Sequence, residues 1–105
     1  MKVLYRQAAS NDIVRQFRYY LLTAEAPQIA VRFREAVKRT IQSLSQNPHM
    51  GPRYSSSNPR LQDLRSWPVA GFEAIRIYYA LDVDGLHIIR ILHGKRDVKR
   101  ILQSE

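Results

Sequence analysis

The sequence contains no cysteine. This excludes a disulfide framework and any zinc site built on thiolates, and it suits a reducing compartment. No apolar run approaches the ~20 residues needed to cross a membrane. The opening MKVLYRQAAS also lacks a signal-peptide core. A soluble, cytoplasmic protein with no membrane partner is expected. Acidic residues are scarce: nine Asp and Glu stand against seventeen Lys and Arg, a net charge of +8. Such a domain attracts polyanions, whether nucleic acid, an acidic membrane face or an acidic protein segment. Basic residues also keep a surface soluble, but thirteen of the seventeen are arginine, whose planar fork favours bidentate contacts.

At 105 residues the chain is expected to be one domain, 1–105, with a single core. Lys2 to Arg6 alternates as a short strand at or next to a sheet edge. Ser10, Asn11 and Asp12 offer N-cap oxygens to a first helix, whose apolar stripe is Ile13, Phe17, Tyr20, Leu21 and Ala24. Pro27 starts a second helix with the stripe Ala30, Phe33, Val37, Ile41 and Leu44, ending at Asn47-Pro48. The short gap between the two makes an antiparallel helical hairpin. Arg15, Arg18, Arg32, Lys38 and Arg39 lie off the stripes and read as its solvated side.

His49 to Arg60 is the clear loop, with two prolines, a glycine and Ser55-Ser56-Ser57-Asn58. Leu61 to Trp67 reads as a weaker strand limited by Pro68, and Trp67 and Phe72 as anchors of the turn between them. Ala74 to Leu81 is the clearest strand. A turn at Asp82-Val83-Asp84-Gly85 returns it into Leu86 to Leu92, apolar on both faces and therefore central. Asp97 can cap a last short helix whose apolar side is Val98, Ile101 and Leu102. The order β-α-α-β-β-β-α predicts an α+β fold, a small antiparallel sheet with the helical hairpin on one face.

LRSWPVAGF, AIRIYYAL and IIRILHGKRDV, with Ala26-Pro27 before the second helix, Phe33 within it and Pro48-x-x-Gly51 after it, resemble the ParE branch of the RelE/ParE toxin superfamily over nearly the whole chain. The resemblance implies a toxin of a type II toxin–antitoxin module, bound and neutralised by the C-terminal segment of an antitoxin encoded beside it. ParE-type members inhibit DNA gyrase by protein contact. RelE-type members cut mRNA on the ribosome.

Cleavage of the RelE kind needs basic and general-acid groups converging on one sheet face. Arg65, Arg76, Arg90 and His93 are the candidates for that alternative. The chain has no tyrosine after Arg96 and a single arginine, beside an acid, near the second strand, which favours the ParE branch and no catalytic residues. A third reading is a degenerate, non-toxic member that only binds its antitoxin. Candidate partner-binding residues are Arg65, Arg76, Tyr78, Arg90, Lys95 and Arg96. His93 also reads as a strand-end histidine bonded to backbone. Arg76 and Arg90 also read as sheet charges paired with Glu73, Asp63 or an antitoxin carboxylate. His49, His87 and His93 lack the carboxylate spacing of a metal site, and no cofactor is expected.

Overall fold

The computed structural model describes residues 1–105. β1 (Val3–Tyr5) leads directly into α1 (Gln7–Arg18), which ends in a π-helical turn at Tyr19–Thr23. α2 (Pro27–Gln46) returns antiparallel, and β2 (Leu64–Val69), β3 (Phe72–Asp82), β4 (Gly85–His93) and α3 (Val98–Gln103) follow. The strands lie in the order β1-β4-β3-β2, so the α+β fold and element order are as expected. β2, β3 and β4 form the antiparallel meander, whereas β1 pairs parallel with β4, which makes the sheet mixed. The reason lies in β4. It is buried on both faces and must be an inner strand, and β1 supplies the neighbour it needs.

The helical hairpin packs on one sheet face over a core of Phe33, Ala36, Val37, Ile41, Leu44, Ile75, Ile77, Tyr79, Leu86, Ile88 and Ile91, together with Ala9 and Val69. Every residue of the expected α2 stripe is buried. Trp67 and Phe72 anchor the β2–β3 turn on this core, where Phe72 meets Tyr20 and Phe33 at ring-centroid distances of 5.8 and 5.5 Å. α3 and the 54–61 segment cover the opposite face, over Leu61, Leu64, Tyr78, Ile89, Leu92 and Leu102. The sheet is therefore clad on both sides, heavily by the hairpin and lightly by α3.

Three local expectations change. α1 begins at Gln7 rather than after Ser10–Asp12, because Ala9 must reach the core and the Arg6 N–H is already spent on the Ile88 carbonyl. Asp12 consequently lies inside the helix, buried. The expected α1 stripe fades beyond Tyr20: the π turn leaves Leu21 and Ala24 exposed, and Leu22 is 68% exposed. β2 begins at Leu64 rather than Leu61, after Asp63 takes φ +50°, and Pro68 does not end it: the strand runs on to Val69 through a register shift. Other signals hold. Asn47 ends α2, Gly85 takes φ +140° in the β3–β4 turn, and the Asp97 carboxylate accepts from the Arg100 N–H.

Candidate functional site: two faces of one sheet

β4 carries Arg90 beside a register shift, at the point where β1 no longer covers its edge. The Arg90 guanidinium donates from Nε and Nη2 to the two oxygens of Asp12, at 2.7 and 2.8 Å, and from Nη1 to Glu105 at 2.6 Å. The same Asp12 carboxylate accepts from the backbone N–H of Ile91 at 3.0 Å, so it also closes the open edge of β4. Asp12 is 2% and Arg90 12% exposed at the side chain. The Asp12 hydrogen bond, reinforced by Glu105, holds the Arg90 guanidinium charged well beyond the usual arginine range. Arg90 is thus bonded internally to α1 and to residue 105. Its partners are Asp12 and Glu105, neither Glu73 nor Asp63.

The remaining arginine and histidine candidates do not join it. Arg65 stands opposite Tyr79 and so faces the helical hairpin. Buried there, it donates to the Gly51 carbonyl at 2.9 Å and pairs with Asp63 at 3.2 Å, clamping the segment after α2. Tyr79 adds to that clamp, donating to the Pro48 carbonyl at 2.8 Å and accepting from the Gly51 N–H at 3.1 Å. Arg76 is on the opposite face and donates to Ser66 Oγ at 3.0 Å. His93 stands opposite Ile75, on the hairpin side, and its Nδ1 accepts from the Lys95 N–H at 3.1 Å. The four candidates for RNA cleavage are therefore divided two and two: Arg65 and His93 on the hairpin face, Arg76 and Arg90 on the face of Tyr78, where Arg90 is bonded to Asp12 and Glu105.

Among the partner-binding candidates, Tyr78 is buried in the α3-side cluster with Tyr54 edge-on at 5.2 Å, and burial raises its phenol pKa. Lys95 and Arg96 are exposed in the turn after β4. Asp82, Asp84 and His87 bring ligand atoms within 4.8 Å of one another at the β3–β4 turn. Turn chemistry accounts for the cluster. Asp82 accepts from the Asp84 and Gly85 N–H groups and pairs with His87 Nε2 at 2.9 Å, and that His87 bond holds its carboxyl below the usual range.

The open apolar surface lies elsewhere, along the hairpin. A concavity of about 340 Å³ is lined by Ile13, Val14, Phe17, Leu21, Leu22, Arg18 and Arg34. A second, about 370 Å³, shares Ile13 and Arg34 and extends past Val37 and Lys38 to Tyr5 on β1. Together they form a groove with no carboxylate in its lining. Arg34 lies over the Phe17 ring at 5.4 Å, so one wall is both apolar and cationic.

These features sit on a chain whose residues 3–98 match the ParE toxin of type II toxin–antitoxin systems, parDE. The chain belongs to the ParE toxin family. Among solved structures it is similar to a chain of the chromosomal ParDE toxin–antitoxin system from P. aeruginosa, with a TM-score of 0.68 at 17% identity, over 89% of this chain and 95% of that one. At that identity the likeness establishes a shared fold. No match was found among curated proteins.

Two residues that organise this ParE-family chain escape a reading of the sequence. Asp12 looks like a cap, and Glu105 stands beyond the last pattern. The signal for Asp12 was there: it lies three residues from Ala9, on the inward side of α1, where a carboxylate needs a buried partner. Glu105 offered none, because its contact with Arg90 follows from where α3 docks.

Proposed function

We propose that this toxin acts in the cytoplasm by inhibiting DNA gyrase through protein–protein contact, without chemistry of its own, and that an acidic antitoxin segment neutralises it. The observation that supports this over RNA cleavage is the division of the candidates between two sheet faces, Arg65 and His93 on one and Arg76 and Arg90 on the other, with Arg90 held by Asp12 and Glu105. General acid–base work on a phosphodiester needs such groups within hydrogen-bond reach of one substrate. The groove along α1 and α2 suits the antitoxin. An amphipathic helix can lay Leu- or Phe-type anchors against Val14, Phe17, Leu21 and Leu22, with its carboxylates toward Arg15, Arg18, Arg34 and Lys38.

The test pairs two assays on the purified chain, gyrase supercoiling of relaxed plasmid with ATP and translation-coupled mRNA cleavage. Lost supercoiling or trapped cleaved plasmid, with mRNA intact, is expected. Cut mRNA with normal supercoiling overturns the reading.

A further inference from the structure

The α3 side of the molecule holds a cavity apart from the hairpin groove. It lies between the Tyr54–Ser57 segment and α3, measures about 280 Å³, and is lined by Tyr54, Ser55, Ser56, Ser57, Lys99, Leu102 and Gln103. We propose that this cavity binds a phosphate group, held by Lys99, the hydroxyls of Ser55 and Ser56, and the side-chain amide of Gln103.

The hydrogen-bond inventory of the lining carries the inference. Ser57 donates its hydroxyl to Gln103 Oε1 at 2.6 Å, which occupies the acceptor of that amide and leaves its NH₂ to donate. Ser56 Oγ accepts from the Asn58 N–H at 3.2 Å, so its own hydrogen is uncommitted. Ser55 makes no side-chain hydrogen bond and Lys99 makes no ion pair. The cavity contains no carboxylate. What remains is a set of donors and one ammonium, complementary to a ligand with several acceptor oxygens and negative charge. Lys99 and Gln103 are four residues apart on α3 and so project from the same side of the helix.

The cavity is also preformed. The buried Asn58 amide donates to the carbonyls of Leu102, Gln103 and Glu105, at 2.8, 3.2 and 2.9 Å, stitching the loop to the helix across the floor supplied by Leu102. Two walls held this way lose little further freedom when a ligand enters. Cations outnumber acids in the segments around the lining. Arg60, Lys95, Arg96 and Arg100 flank the cavity in sequence without an ion pair, while each nearby acid is engaged: Asp63 with Arg65, Asp97 at the α3 cap and Glu105 with Arg90.

The phosphate can come from a nucleic-acid backbone or from free phosphate, and one titration separates the two. Inorganic phosphate is added to the isotopically labelled full chain at constant ionic strength and followed by amide NMR, and a short single-stranded DNA is then added. Saturable shifts at residues 54–57 and 99–103 are expected. Lys99→Gln should weaken phosphate binding about tenfold, the scale of one charge-assisted hydrogen bond, and Ser55→Ala with Ser56→Ala should weaken it further. Arg32→Gln, which removes an exposed charge from α2, should leave binding unchanged. Displacement of phosphate by the DNA identifies a backbone phosphate as the occupant. Failure to displace it identifies free phosphate. The proposal is overturned if no saturable shifts appear at these residues, or if Arg32→Gln weakens binding as much as Lys99→Gln in variants that melt like the parent chain.

Discussion

The two faces of this sheet are both basic, yet they present their charge in opposite ways. On the hairpin side, arginines frame an open apolar groove, in which Val14 is 50% and Leu22 68% exposed. On the α3 side the apolar residues are covered, and the exposed groups are hydroxyls, an amide and unpaired cations. The first surface gains by burying carbon against a partner, the second by satisfying donors. Between them runs the β4 edge, where the most conspicuous arginine of the C-terminal motif is bonded to two carboxylates and is available to neither face. Charge count alone does not distinguish these three situations. Partnering and burial do.

Breaking the edge between the faces should have the largest effect. Asp12→Ala removes both oxygens that hold Arg90 and the acceptor of the Ile91 N–H. A buried ion pair broken on one side costs about 3–5 kcal/mol, so chemical denaturation should show a loss of that size, whatever the effect on binding. A change confined to the hairpin face should do the reverse. Leu22→Asp, at an exposed position, should leave stability within about 0.5 kcal/mol. Titration should nonetheless show antitoxin-segment affinity weakened by about 2 kcal/mol or more, because a charge in an apolar groove must be desolvated.

Gly51→Ala probes the clamp under the hairpin side. A Cβ there would stand 2.5 Å from the Tyr79 hydroxyl and 2.8 Å from the Ser66 carbonyl, tighter than a packed side chain can accept. A loss of about 1–3 kcal/mol is expected from denaturant midpoints, as for an overpacked core. The smallest effect is alkaline. Burial raises the Tyr78 phenol above its ordinary 10.0, so the unfolded chain ionises first. The stability contributed by the neutral phenol is intact below pH 10 and falls as pH rises through the folded value. Tyr78→Phe should flatten the decline of melting temperature above pH 10, and an unchanged slope would show that this phenol carries no linkage.

The helices and later strands were legible because their periodicity is strong. The α2 stripe is buried throughout, and the alternation of β3 places Ile75, Ile77 and Tyr79 in one core and Tyr78 in the other. Where β1 would pair was not legible, since three alternating residues carry no information about a partner as distant in sequence as Leu86 to Ile88. The roles of the arginines were legible least of all. Arg65 and Arg90 look like surface charges in their strands, and both are buried by elements remote in sequence: the segment after α2 for one, α1 and residue 105 for the other. Long-range ion pairs leave no periodic trace.

The hairpin groove is the surface proposed to receive the antitoxin segment. Amide hydrogen exchange of the chain alone, and then saturated with the acidic C-terminal segment of its antitoxin, tests this directly. Slowed exchange should concentrate in residues 13–22 and 31–38. Slowing confined to residues 54–61 and 98–103, with α1 and α2 exchanging as in the isolated chain, would contradict it.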